Sequence, residues 1–430
     1  AQFAQLPVSK QHAAPSDHRC LLTLKMAPLV SNLKDSDQEV VLSGLLKHFP
    51  FLRVDKLEAS PAIKENENFM GVITKIDVIG HDTEKGVAVR TSLILKSLPE
   101  SVERRMTFNV DAAFSNEAAF YSRVLPTLQQ HSPLQLSFPP CLHAQPDLIL
   151  LRHLGQDGFL IIDRMEGLDL QHCELVLREL GRYHAISLAM KHNSPAKFAQ
   201  IKSEVKEIFV TEEHTILNSS VDICIDMGLK VASDLESRAV KTLKKVKGHG
   251  LEVLIPLVAS TEPLAVICHG DLWSNNLLFR YSPDNLQTPT DMAFLDLQGC
   301  RYASPSLDIM YFLFSSTKKG VTKQNFRKLV AIYHHSLAEH LKQLAPLAPT
   351  VTMDDIVLEI KEHVLYGLLM SLAVLSVVTS KDLSYTIDDV TENSITDREF
   401  LVEAEKGMLT PEYNRRVNEM LEVIVLEGLL

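Results

Sequence analysis

The chain lacks the glycine signatures that mark most nucleotide-binding folds. Its 17 glycines include no Gly-x-Gly-x-x-Gly and no Gly-Lys step, which argues against a Rossmann dehydrogenase and a Walker-type NTPase. His-Arg-Asp, Asp-Phe-Gly and Ala-Pro-Glu are missing too, which disfavours an ordinary protein kinase. Only Gly71, after Asn66-Glu67-Asn68-Phe69-Met70, stands where a phosphate-covering loop could lie. There is no Cys-x-x-Cys among Cys20, Cys141, Cys173, Cys224, Cys268 and Cys300, and no His-Glu-x-x-His. Scattered cysteines read as free thiols of a reducing, cytoplasmic compartment, not as a disulfide framework or zinc site. A basic surplus is absent: the formal charge is −11, and the run from Lys241 to Lys247 reads as a solvated helix face. Phosphate-backbone binding needs clustered Lys and Arg, so no nucleic-acid partner is expected. The longest apolar stretch, residues 364–378, is broken by Gly367 and Ser371 and falls short of about 20 spanning residues. It reads as a buried helix, with no membrane partner. Cys20-Leu21-Leu22-Thr23-Leu24 is too short for a signal peptide.

What the chain does have is His269-Gly270-Asp271-Leu272-Trp273-Ser274-Asn275-Asn276, followed by Phe294-Leu295-Asp296. An Asp, an Asn five residues on and a later Asp form the set that phosphotransferases use: one base for the acceptor hydroxyl and two magnesium ligands. Separately, they read as a capping Asp, a turn Asn and a strand-end Asp. Flanking strands strengthen the joint reading. Leu277 to Tyr281 and Met292 to Leu295 look like paired strands, with residues 282–291 as their Pro-, Asn- and Thr-rich connection. Such a hairpin brings Asn276 beside Asp296.

Upstream, residues 69–79 and 87–98 alternate like strands about a turn at 80–86. Val87, Val89, Thr91, Leu93 and Leu95 share one face of the second strand, so Lys96 points to the other. Alone, Lys96 reads equally as a phosphate-binding lysine or an exposed strand lysine. Glu117 favours the former. It lies in a helix that Ser115 or Asn116 can cap, and strand-lysine then helix-glutamate is the kinase order. Residues 146–151 form a strand running into a hinge, where Leu151, Arg152 and Leu154 would meet adenine through backbone groups. Residues 169–190 read as a long helix, with His184 a packing residue, and 197–250 as two further amphipathic helices.

These motifs, with Ser306-Leu307-Asp308-Ile309, Gly158-Phe159, Asp163-Arg164, Gly167-Leu168 and Tyr183-His184-Ala185-Ile186-Ser187, resemble the ecdysteroid kinase-like family, relatives of the choline and aminoglycoside kinases. The resemblance covers residues 40–425. It implies an α+β, two-lobed protein-kinase-like fold with a small antiparallel-sheet N-lobe (41–154) and a larger helical C-lobe (155–430). Residues 1–40 would be an extension, poorly ordered in its first part. It further implies ATP and Mg²⁺ as cofactors and a small hydroxylated, ecdysteroid-like molecule as acceptor. Asp271 becomes the base, Asn276 and Asp296 the metal ligands, Lys96 and Glu117 the phosphate-ordering pair, and Asp308 a brace for the catalytic loop. Where similar sequences carry Glu-Asp-Leu at the hinge, this chain has Arg152-His153-Leu154. Two other readings stay open: a kinase for choline or an amino sugar, and a kinase-fold ligand-binding protein without activity. Leu365, Leu368, Leu369, Leu372 and Val374 are candidates to line an apolar acceptor cleft.

Overall fold

The structure is a computed structural model and describes residues 33–62, 70–133, 135–213, 215–380, 394 and 397–430. The first part of the extension and the loop leading to Gly71 lie outside the described residues.

Period-two alternation builds the N-terminal sheet. Strands β1 (Leu52–Pro61), β2 (Val72–Asp82), β3 (Val87–Ser97), β4 (Cys141–Gln145) and β5 (Leu148–Arg152) pair antiparallel in the order β1-β2-β3-β5-β4. The β2–β3 turn is fixed by Asp82, whose Oδ1 accepts the backbone N–H of Glu84 and Lys85, and by Gly86 at φ 64°. Helix α1 (Asp35–His48) buries Val41 and Leu45 against one face of the sheet. Interior strand β5 is buried on both sides: Leu148 and Leu150 join that core, while Ile149 and Leu151 join the larger one.

Helices α2 (Val102–Thr107) and α3 (Val110–Ala119) follow, then a π-turn (Phe120–Val124) and α4 (Leu125–Gln130). Helix α3 does not start at Ser115 or Asn116. It starts at Val110, after Asn109 in the left-handed conformation (φ 51°), which Asn tolerates better than most residues. Asn116 is therefore an interior, buried residue, and Glu117 lies in the last turns.

The rest is mostly helical. After a 3₁₀ turn (Leu154–Asp157) and β6 (Phe159–Ile161) comes α5 (Leu170–Asn193), capped by Asp169, whose Oδ1 accepts the N–H of Gln171 and His172. The region 197–250 holds α6 (Pro195–Glu204), α7 (Thr215–Val231) and α8 (Arg238–Val246), with α9 (Gly250–Val258) beginning at its end, not two helices. Lys241, Lys244 and Lys245 of α8 are exposed. Short strands β7 (Val266–Cys268) and β10 (Arg301–Ala303) pair with each other. Strands β8 (Leu277–Ser282) and β9 (Asn285–Phe294) form a sheet with β6, in the order β6-β8-β9. Most of 282–291 is thus strand and not connection. Pro289 is accommodated because β9 is an edge strand with register shifts beside Tyr281.

Helices α10 (Ser306–Ser315), α11 (Val321–Leu344), α12 (Met353–Val378), α13 (Arg398–Met408) and α14 (Pro411–Leu426) complete the lobe. At 26 residues α12 is longer than the sequence reading allows, and by length and composition alone it could cross a membrane. In the fold, 61% of its most apolar window is buried. Leu368, Leu369 and Leu372 are core, not cleft lining, and Leu372 fills the space beside Gly228 of α7. The five described cysteines are unpaired.

Gly181 lets α5 approach α11. A Cβ there would lie 2.6 Å from the Tyr333 carbonyl oxygen and 2.9 Å from the Leu337 nitrogen, so helix backbone would have to move. Gly181→Ala is expected to cost about 1–3 kcal/mol, the usual range for overpacking. A urea midpoint equal to that of the wild type would contradict this close approach.

Candidate active site

Lys96 is the meeting point of the two lobes. It is 5% exposed on β3, on the face opposite Leu95. Its Nζ lies 2.5 Å from Glu117 Oε2 on α3 and 3.3 Å from Oδ1 of Asp296, just beyond β9. Burial pushes the Glu117 carboxyl above its ordinary value, with Lys96 opposing that rise; burial likewise works against the Lys96 charge, but Asp296 and Glu117 hold its pKa up. Glu117 is fixed from its other oxygen by the N–H of Leu297 at 3.4 Å. Next to it, Asn116 Nδ2 donates to the carbonyls of Gln298 (2.9 Å) and Cys300 (2.7 Å). Helix α3 therefore grips the stretch after Asp296 by two neighbouring side chains.

The catalytic-type loop is held from below by α10. Asp308 accepts the N–H of His269 (2.7 Å) on Oδ2 and of Gly270 (2.9 Å) on Oδ1, and His184 Nε2 lies 3.2 Å from Oδ2. His184, fully buried, also contacts Tyr333 Oη at 2.9 Å, so it is a satisfied packing residue. Burial alone would raise the Asp308 carboxyl, but the rings of His184 and His269 and the Gly270 N–H hold it below its ordinary value. Gly270 has φ 86°, and a Cβ there would meet the Gly299 carbonyl oxygen at 1.8 Å, so no other residue fits. His269 takes the Asp271 N–H on Nδ1 (3.3 Å), which assigns the proton to Nε2, 2.8 Å from the Leu295 carbonyl.

Asp271 follows this turn. Its Oδ2 accepts Asn276 Nδ2 at 2.9 Å and Trp273 Nε1 at 3.2 Å, and its Oδ1 accepts Tyr311 Oη at 3.0 Å. Burial, aided by Asp296, pushes its carboxyl up to about 6 against the pull of those three donors. It is a better base near neutrality than an exposed aspartate. Asn276 Nδ2 also donates to the Asp271 carbonyl (2.9 Å), which leaves Oδ1 as the amide atom available to a cation. The β8–β9 ladder aligns Leu277 with Phe294, and the Leu295 N–H donates to the Asn276 carbonyl at 2.9 Å. Asn276 and Asp296 thus flank the same ladder end, Asp296 in the left-handed conformation at φ 61°. Carboxylate and amide oxygens are the donor set a hard divalent cation takes.

At the hinge, Leu151 sits inside the ladder between Ile94 and Cys141, and the Arg152 N–H is bonded to the Pro140 carbonyl (2.9 Å). Leu154 opens the 3₁₀ turn beyond the ladder. The Arg152 guanidinium pairs with Asp157 Oδ1 at 2.7 Å, a local partner for the unusual hinge residue. Gln156 staples the crossing to β3: its Oε1 accepts Thr91 Oγ1 (3.0 Å) and the Ser92 N–H (2.9 Å), and its Nε2 donates to the Ser92 carbonyl (3.2 Å).

A family model described as the ecdysteroid kinase-like family matches residues 65–345. The chain belongs to that family. No curated protein matches it by sequence. Among solved structures, the choline kinase of Cryptosporidium parvum Iowa II is 13% identical, with 92% of this chain and 98% of that one covered, at a TM-score of 0.45. The Plasmodium vivax ethanolamine kinase is 11% identical, with 84% and 85% covered, at 0.42. An aminoglycoside 2′-phosphotransferase-IIIa, solved as its GDP complex, is 11% identical, with 88% and 99% covered, at 0.41.

Several contacts of this family member's site were not assigned from the sequence, and two of the residues that make them, Tyr311 and Arg301, carry no motif signal. Tyr311 and the indole N–H of Trp273 reach Asp271, and Arg301 donates to the Gly270 carbonyl (2.9 Å) while its other nitrogen pairs with Glu207 at 2.7 Å. Tyr311 lies three residues past Asp308, a spacing that puts both on one helix face, and only that spacing could have flagged it.

Asp308→Asn would set an amide N–H₂ against two backbone N–H donors and is expected to cost roughly 3–5 kcal/mol at pH 7. Because the native carboxyl is held below its ordinary value, its contribution is complete above the unfolded pKa of about 3.9 and is lost as pH falls through the native one. In urea melts the gap between wild type and Asp308→Asn should be constant from pH 8 to 5 and narrow below about pH 4. A gap already closed at pH 6 would contradict the brace.

Proposed function

We propose that the protein is an ATP-dependent kinase that phosphorylates a hydroxyl group of a hydroxylated, largely apolar small molecule, an ecdysteroid or a compound of similar size. The observation that carries this reading is the convergence of Lys96, Glu117 and Asp296 from three elements beside the Asp271–Asn276 pair. Family membership supports a small-molecule acceptor, and the aromatic side chains of Trp273 and Tyr311 at Asp271 favour an apolar one.

The chemistry is in-line displacement. The acceptor oxygen bonds to the γ-phosphorus as the bond from phosphorus to the β,γ-bridging oxygen breaks, and ADP departs with that electron pair. Asp271 orients the hydroxyl and takes its proton late, as a loose transition state permits. Lys96, aimed by Glu117, donates to phosphate oxygens. Asn276 Oδ1 and the Asp296 carboxylate would hold Mg²⁺, which when bound neutralises charge on the phosphates. Positioning and charge neutralisation carry the rate, since phosphoryl transfer asks little covalent work of the protein.

Labelled ATP offered with ecdysone and 20-hydroxyecdysone, and with choline and an aminoglycoside as competitors, tests the acceptor. Phosphate on choline or the aminoglycoside alone would sink the steroid reading and leave the kinase; Mg·ATP binding without transfer to any alcohol would favour the inactive binding protein. Asp271→Asn is expected to lower kcat by roughly 10²–10⁴-fold with nucleotide affinity nearly unchanged. A mutant retaining more than about a tenth of wild-type kcat is too active for a general base. Asp296→Ala and Asn276→Ala should both raise the magnesium requirement, Asp296→Ala more, because an ionised carboxylate binds the cation more strongly than an amide oxygen. Magnesium titrations unchanged in both would remove the metal assignment.

A further inference from the structure

Asp271 is more crowded than a general base needs to be. A carboxylate offers about four lone-pair sites, two on each oxygen. Both on Oδ2 are taken, by Trp273 Nε1 and Asn276 Nδ2. Oδ1 carries one bond, from Tyr311 Oη, and keeps one site. We propose that Tyr311 is an acceptor-positioning residue: with Trp273 and Asn276 closing Oδ2, it fixes the rotation of the Asp271 carboxylate so that the acceptor hydroxyl meets Oδ1, beside the Tyr311 phenol oxygen. This rests on the kinase reading above and adds to it the oxygen that takes the proton and the residue that selects it.

The placement of Tyr311 supports the assignment. It shares a face of α10 with Asp308, one turn earlier, so a single helix fixes both the loop backbone at His269 and Gly270 and the side chain of Asp271. Its ring is 5% exposed, and burial first, then the neighbouring Asp271, pushes the phenol well above its ordinary pKa, so it remains a donor. With its proton committed to Asp271, the phenol oxygen presents only lone pairs to the acceptor. The alternative is that the bond merely satisfies a buried phenol, and the two differ in what its removal does.

The test is Tyr311→Phe in the full chain, with Mg·ATP and 20-hydroxyecdysone as first acceptor and choline as second, following phosphorylated acceptor and free phosphate together. The ratio of the two products is read per turnover and does not depend on how much protein is folded. Expected is a fall in kcat for transfer of about ten- to a hundredfold, the scale of one hydrogen bond to a charged group, with KM for ATP within about twofold. The ratio of phosphorylated acceptor to phosphate should drop in step, as water replaces a misplaced hydroxyl. Tyr311→His, which can donate from a ring nitrogen, should recover part of that ratio. An unchanged product ratio in Tyr311→Phe, whether kcat holds or falls, overturns the assignment and leaves the kinase reading intact. A wild type that binds Mg·ATP and transfers phosphate to no alcohol offered overturns both.

Discussion

One buried cation joins the lobes. The Lys96 ammonium has left water almost completely, and such a charge persists only where opposite charge meets it. Glu117 and Asp296 both do so, one from the N-terminal side of the hinge and one from the C-terminal side. Removing Lys96 would leave the buried Glu117 carboxylate facing Asp296 with no cation between them, a larger penalty than the pair's net contribution. The cluster is also unbalanced: one ammonium faces two carboxylates, with Asp271 close enough to feel Asp296. That surplus of negative charge is complementary to a divalent cation, and together with burial it outweighs the three hydrogen bonds in setting the direction of the Asp271 shift.

Around that cluster the protein uses helices as clamps on irregular backbone. Helix α3 holds the residues after Asp296 through Asn116 and Glu117, and α10 holds the loop before Asp271 through Asp308. Neither clamp depends on loop sequence for rigidity. This holds the left-handed turn that Gly270 adopts without a Cβ penalty, and it offsets the cost of the positive φ at Asp296, which does have a Cβ.

Local pattern made much of this legible in the chain. The β2–β3 hairpin follows from alternation, and the opposite facing of Lys96 from parity. The spacing from Asp271 to Asn276 and the later Asp296 foreshadowed a cluster whose members come together at one ladder end. What stayed hidden has physical reasons. Strand β9 runs through Pro289, which reads as a breaker unless one knows that the strand lies at an edge. Helix α3 begins two turns earlier than any capping residue suggests, because its first residue follows an Asn in a left-handed conformation rather than a side-chain cap. Leu368, Leu369 and Leu372 have the composition of a pocket and the burial of a core; sequence cannot separate the two. The contacts of Tyr311 and Arg301 with the loop at residues 269–276 bridge about 30 to 40 residues, and no short-range rule sees them.

The Gln156 staple has a mechanical meaning. With its side chain bonded to β3 at three points, and Arg152 tied to Asp157, the crossing segment behaves as part of the N-terminal sheet up to Asp157. Strand β6 begins at Phe159 and is already paired with β8 of the other lobe. A single residue separates the two rigid pieces: Gly158, at φ 84°, where an added Cβ would meet nothing nearer than Arg280 Cγ at 4.0 Å. Along this covalent link the sheet of one lobe gives way to the sheet of the other across one glycine, the single position between them whose torsions no side chain of its own constrains.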